Sequence, residues 1–282
     1  KLYNSMTRRL EPFVPRIEGS ASVYSCGPTA DKRMHITEMR RFVFADMLCR
    51  YLEFGGLNVK HIMNVTDMDD KTIAAAEQDG VDLKAFTQGC FEKFLEDQEK
   101  LRIKPADKYP KVSENIDEMV TLAQKLVNAG FAYERLRSLY FNISKVPNYG
   151  HLSGIDINKI KLGATVDLDE YEKDNPRDFT LFRRCTLQEL KKGFFTPTEW
   201  GNVRPSLHIQ CAAIAMRYLG NNFDIHTSNR DLIFPHHENA NAIAESLTGK
   251  TMANYWVHCE QVLVDGKKEV PAREGINLYD FE

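Results

Sequence analysis

Between Ile36 and Leu52 the apolar residues Ile36, Met39, Val43, Phe44, Met47, Leu48, Tyr51 and Leu52 recur near the helical period, and Gly55-Gly56 close the run. This spacing predicts an amphipathic helix. A short β-prone segment around Val23-Tyr24 precedes it and stops at Cys26-Gly27-Pro28-Thr29. Strand, turn and helix in that order place exposed helix amides beside the turn, a natural seat for a phosphate-bearing ligand, with Cys26 at the strand end. Val59–Val65 reads as a second strand, and helices are predicted over Lys71–Gln78, Leu83–Leu101 and Ser113–Ala129. The βαβα order is the signature of an α/β, doubly wound parallel sheet.

The texture changes from about Tyr133 to Trp200. Ser138–Ile143 still reads as a strand, but Asn148-Tyr149-Gly150 and the stretches 155–169 and 170–177 are polar and turn-rich. We read residues 133–200 as a subdomain inserted between two halves of the sheet, 1–132 and 201–282. In the second half, Leu207–Leu219 is apolar enough for a buried helix, and Phe223–His226 is a short strand. Asp231–Asn239 opens a further helix, and Tyr255–His258 and Gln261–Val264 supply more strand. Ala244–Thr251 (AESLTGKT) mimics a phosphate loop, but one glycine and no preceding strand make a helix end capped by Gly249 the better reading.

Composition narrows the class without naming a chemistry. No stretch approaches the roughly 20 apolar residues that span a bilayer, and no apolar leader is present, so a cytoplasmic protein that does not engage membranes is expected. The formal net charge of -3 gives no general attraction for nucleic acid. Six cysteines dispersed through 282 residues read as free thiols or metal ligands, not a disulfide scaffold. Cys26, Cys211 and His236, with His237 and Glu238 nearby, could hold Zn²⁺ if the strand ends meet at one edge of the sheet, because thiolate and imidazole suit that ion. Spacing alone leaves them equally readable as buried apolar fillers. Asp67, Asp69 and Asp70 suggest either Mg²⁺ or a polar network at a strand end.

A resemblance decides more than spacing does. Leu2-Tyr3-Asn4, Cys26-Gly27-Pro28-Thr29, Asn64–Lys71 (NVTDMDDK), Phe223-Asp224-Ile225-His226, Asp231–Asn239 (DLIFPHHEN) and Tyr255-Trp256-Val257-His258 resemble, in order, the catalytic domain of cysteinyl-tRNA synthetases. The cysteine ligase of mycothiol synthesis is similar too. The resemblance implies a class I Rossmann-like parallel sheet split by an insertion. It further implies Zn²⁺ at Cys26, Cys211 and His236, and an amino-acid pocket at Thr66, Gly27 and Thr29. His35, His226 and Trp256 would serve the nucleotide side, and His35, Lys267 and Lys268 the catalysis. The expected ligands are cysteine or a similar thiol amino acid, ATP with Mg²⁺, and tRNA or a small amine as acceptor.

Departures from the family pattern modify these expectations. The fourth zinc ligand of the family, a glutamate, is Ala240; the family tryptophan before the second cysteine is Leu207; a glycine run is Thr227-Ser228-Asn229. The His-x-Gly-His signature reads His35-Ile36-Thr37-Glu38, which adds bulk and a carboxylate near the phosphates. Like charges about 4 Å apart repel by on the order of 4 kcal/mol at an effective dielectric near 20, unless Glu38 pairs with Arg40 or Arg41. Where the mobile lysine loop belongs, Gly266-Lys267-Lys268 is followed by Glu269-Val270-Pro271-Ala272-Arg273, and the C-terminal helical region that selects tRNA is not expected. Two readings follow. One is a diverged ligase that binds a thiol amino acid at zinc and activates it with ATP; the other is a retired synthetase domain acting as a ligand-binding or interaction module.

Overall fold

A computed structural model describes residues 1–156, 173–260, 262 and 278. The chain opens with the hairpin β1 (Leu2–Asn4) and β2 (Arg9–Glu11), then β3 (Ser20–Ser25), α1 (Ile36–Phe54), β4 (Asn58–Met63), α2 (Asp70–Asp79), α3 (Leu83–Lys100) and α4 (Ile116–Asn128). Next come β5 (Ala132–Arg135), β6 (Ser138–Phe141), β7 (Phe179–Arg184), α5 (Leu187–Lys192), β8 (Thr196–Thr198) and β9 (Gly201–Pro205). The chain continues through α6 (Leu207–Leu219), β10 (Phe223–Asn229), α7 (Glu238–Thr248) and β11 (Ala253–Cys259).

β3, β4, β10 and β11 form a four-stranded, wholly parallel sheet in the order β11-β10-β3-β4. Tyr24 stands level with His226 on one side and Ile62 on the other, and His226 with Trp256. Alternation along the strands sends their side chains to two faces. Ala21, Val23, Ile225, Tyr255 and Val257 pack with Leu48, Cys49 and Leu52 of α1. Tyr24, Ile62, Phe223 and Trp256 join the core of α4, α6 and α7. Helices on both faces make this the expected doubly wound architecture, and its ligand crevice belongs at the carboxyl ends of the strands.

The intervening segment folds as a five-stranded antiparallel sheet, β5-β6-β7-β9-β8. Its Leu139, Phe141, Phe179, Phe182 and Val203 are buried in the same core cluster as α6 and α7, so the two sheets share apolar packing. Polar ties reinforce the join. Asp70, at the start of α2, pairs with Arg183 at 2.7 Å and Arg204 at 2.8 Å, while Lys192 reaches Glu77 at 2.5 Å. Asp67 accepts from the Ser113 amide at 2.9 Å and from its hydroxyl, and Asp69 caps α2 through the Thr72 amide at 2.8 Å. Each of the three carboxylates is thus engaged by protein groups, the polar-network alternative for this motif. Gly249 ends α7 in the left-handed conformation at φ 66°, which accounts for the phosphate-loop mimic.

On the α1 face, His61 of β4 lies against Ser25, with its Nε2 2.7 Å from the Ser25 hydroxyl, and burial pulls its pKa down to about 4. Above pH of about 6.5 the ring is neutral folded and unfolded; below it the unfolded chain takes the proton first. Stability should therefore fall as pH drops from about 6.5 to about 4, by roughly 3 kcal/mol from this residue, and level off below. Urea titrations of wild type and His61→Gln at pH 7 and pH 4.5 isolate the effect from other buried histidines. Equal pH losses in the two chains would refute it.

Candidate active site

β3 ends at Ser25, and the Cys26 amide continues the pairing by donating to the Thr227 carbonyl at 3.4 Å. The chain then turns through Gly27 and Pro28. Gly27 is required here by space: a Cβ on it would lie 1.6 Å from the Asn64 carbonyl oxygen. Asn64 grips the turn, its Oδ1 accepting from the Gly27 amide at 3.1 Å and from the Tyr24 hydroxyl at 2.9 Å. Thr29 bridges in parallel to Thr66, whose amide donates to the Pro28 carbonyl at 3.0 Å. The Cys-Gly-Pro-Thr turn is thus built onto the end of β4, with Thr66 buried beneath it.

Three elements bring the cysteines and histidines together. Cys26 comes from the end of β3 and Cys211 from the buried face of α6. His236 and His237 come from the turn Ile233–His237, whose cis Phe234–Pro235 peptide and extended Phe234 interrupt the helix expected from Asp231 onward. One ligand atom each from Cys26, Cys211 and His236 lie within 4.8 Å of one another, all three residues being buried. Cys26 Sγ is 3.9 Å from His236 Nε2 and 3.3 Å from His237 Nε2. Behind these, His208 Nδ1 is 3.2 Å from His236 Nδ1, His237 Nδ1 is 2.9 Å from His258 Nε2, and His258 Nδ1 is 2.8 Å from the Ser5 hydroxyl.

The electrostatics suit a metal. Burial pulls His237 down to about 3 and His258 to about 2, and holds His208 well below its ordinary value, so these rings are neutral donors of lone pairs. Hydrogen bonding to Cys211 holds Cys26 well below the usual thiol range, and the same bond, with burial, drives Cys211 well above it. One thiolate shared between two sulfurs, next to uncharged imidazoles, matches the S/N donor set of zinc. The donors present fit the ion.

Against this geometry, a family model described as the tRNA synthetases class I (C) catalytic domain matches residues 12–272. The chain belongs to the cysteinyl-tRNA synthetase family. The cysteine–tRNA ligase of Methanosarcina mazei is 44% identical over 268 residues, 95% of this chain and 57% of the relative. That of Pyrococcus furiosus is 41% identical, covering 100% of this chain and 60% of the relative. The chain therefore spans about three fifths of the length of these curated relatives. Among solved structures, Mycobacterium tuberculosis methionyl-tRNA synthetase bound by methionyl-adenylate superposes with TM-score 0.69 at 12% identity, over 92% of this chain and 60% of that one. At that identity the likeness speaks for the class I fold alone.

Cysteinyl-tRNA synthetase motifs place the remaining residues as follows. His226 and Trp256 are both 0% exposed and stacked, ring centroids 4.5 Å apart, next to His237 at 4.5 Å from His226. They stand beside His237 at the Cys26 end of the crevice. His35 is buried and serves as N-cap of α1, and Glu38 completes a capping box by accepting from the His35 amide at 2.9 Å. Lys32, not Arg40 or Arg41, pairs with Glu38 at 3.4 Å; Arg41 donates to the Gly27 carbonyl at 3.1 Å. The helix terminus that the pattern offered to phosphate thus carries its own carboxylate. Thr227-Ser228-Asn229 does not loop but extends β10, paired with Val257, His258 and Cys259. Ala240 is buried in the core and offers no ligand. Lys267, Lys268 and the expected strand Gln261–Val264 lie outside the described residues, save Val262, for which no strand is assigned. No described helix is long and apolar enough to cross a membrane.

His208, His258 and Ser5 belong to the cluster without having been singled out as site residues, whereas His237 was expected beside the zinc candidates. The signal for one of them was present: His258 lies two residues past Trp256, hence on the same strand face.

Proposed function

We propose that this domain binds cysteine, or a closely similar thiol amino acid, and activates its carboxylate with ATP for transfer to tRNA or a small amine. The observation that carries the reading is the convergence of Cys26, Cys211 and His236 at the carboxyl edge of the parallel sheet. Zn²⁺ held by those three residues would select a thiol by direct coordination. Thr66, Gly27 and Thr29 shape the adjoining wall, where the amino acid's polar end would rest. In the reaction a carboxylate oxygen attacks the α-phosphorus of ATP, the bond to the β-phosphate oxygen breaks, and pyrophosphate leaves with its Mg²⁺. The acceptor's nucleophile then attacks the acyl carbon and AMP departs. Holding carboxylate and phosphate in line is most of the catalysis, and His35, Lys267 and Lys268 are the candidates for the phosphate side, with His226 and Trp256 between it and the thiol.

One observation favours the second reading, a thiol-binding module without adenylation: the Glu38 carboxylate bound across the first turn of α1. Cysteine-dependent exchange of pyrophosphate into ATP separates the two. Wild type should exchange, Cys211→Ala should lose at least ~100-fold of that rate by losing one zinc ligand, and Glu38→Gln should raise nucleotide affinity. Zinc-loaded wild type with no exchange for any thiol amino acid would sink the ligase reading. Restoration of nucleotide binding in Glu38→Gln would then identify the block.

A further inference from the structure

The helix α1 is apolar on two opposite sides. Phe42, Leu48, Cys49 and Leu52 are buried, Leu48 and its neighbours against the parallel sheet and Phe42 against Phe94 of α3. Val43, Met47, Tyr51 and Phe54 point the other way and stand 45, 58, 64 and 90% exposed. At 3.6 residues per turn these four fall within an arc of about 80° and form one continuous stripe along the helix. A helix apolar all round belongs to an interior, and a contiguous apolar patch on a soluble surface marks a contact.

The charges beside the stripe point to its occupant. Arg40, exposed beside the Cys259 thiol, stands at the N-terminal end. Glu53, one third exposed and paired with Lys104, stands at the C-terminal end. A second α1 laid antiparallel across Met47 brings Val43 over Tyr51 of the second copy. It also sets Arg40 beside Phe54 and Glu53 of that copy, where the guanidinium meets a ring face and a carboxylate. The two helix dipoles then oppose favourably. Laid parallel, Arg40 would face Arg40 instead.

We propose that this stripe is an interface between two copies of the chain, an isologous antiparallel pair of α1 helices with Met47 on the two-fold axis. Covering the four side chains on both copies, with the rim between them, removes on the order of 1,000 Å² from water, the floor for a specific interface. The pairing is independent of the catalytic reading, because it uses neither the Cys26 turn nor the inward side of α1.

The oligomeric state of the full chain tests it. Sedimentation velocity at ~50 µM chain should give twice the monomer mass. Met47→Glu sets two carboxylates face to face on the axis and should raise the dissociation constant at least ~100-fold, with the helical circular dichroism unchanged. Under mild oxidation with oxidised glutathione, Met47→Cys should form a disulfide-linked dimer that wild type does not. Arg40→Cys should not link, since its two copies lie ~20 Å apart along the antiparallel pair. A wild-type chain that is monomeric at this concentration overturns the proposal and leaves the stripe to a different partner. A dimer indifferent to Met47→Glu, or one that links through Arg40→Cys, refutes this interface. Should Met47→Glu fail to fold, the two cysteine variants decide.

Discussion

Gly27→Ala should destabilise this domain by about 3 kcal/mol or more and lower its melting temperature by roughly 10 °C. The new Cβ would fall 1.6 Å from the Asn64 carbonyl oxygen and 2.7 Å from its carbonyl carbon, both backbone atoms. A flexible side chain could swing aside, but this backbone has nowhere to go. Val65 donates to the Pro110 carbonyl at 2.9 Å, Thr66 to Pro28 at 3.0 Å, and the preceding residues are locked in β4. The Cys26 turn would have to lift off the sheet instead, breaking the Gly27–Asn64 and Tyr24–Asn64 bonds and carrying Cys26 away from Cys211. Zinc affinity should fall with stability. Thermal melts of the purified chain settle the matter, and a melting point within about 2 °C of wild type would show that the turn gives way more easily than the geometry implies.

The second large effect belongs to Cys26→Ala. Structural zinc binds with on the order of 12 kcal/mol spread over four ligands, so one ligand carries about 3 kcal/mol, or ~100-fold in affinity. Cys26 is common to both close-packed Cys/His triads, Cys26–Cys211–His236 and Cys26–His226–His237, so its loss takes the central sulfur from the cluster. The expected result is a folded protein without tightly held zinc and without cysteine-dependent exchange. Cys26 is buried but small, and truncation to alanine removes a single sulfur, so the fold should survive; circular dichroism provides the control. Tight zinc retained by a folded Cys26→Ala chain would contradict the site as drawn.

Much of the parallel sheet could be read from the pattern because its elements are long and flanked by punctuating residues. Val23-Tyr24, the helix from Ile36, Val59–Val65 and Leu207–Leu219 fall on β3, α1, β4 and α6. The inserted sheet was less legible. β8 is three residues with a proline in the middle, an edge strand that leaves almost no period to detect, and β9 contains both glycine and proline. The turn at Ile233–His237 was read as ordinary helix because Pro235 is acceptable near a helix start; the extended backbone at Phe234 has no local signal. Cys26, Cys211 and His236 are joined only by the strand order, which spacing cannot supply, so family resemblance had to. The Glu38 cap was the opposite case: His35 followed three residues later by glutamate is the spacing of a capping box, visible in the sequence but read there only as a charge facing phosphate.

The join between the inserted sheet and α7 has a reach beyond packing. Glu238 accepts from the Gly150 amide at 2.9 Å and the Ser153 amide at 2.7 Å, and the Tyr149 hydroxyl donates to Asn239 at 2.5 Å. These anchors begin one residue beyond His237. The insert therefore braces the helix start directly behind His236 and His237, so the placing of the two imidazoles depends on residues 149–153 as well as on the parallel sheet.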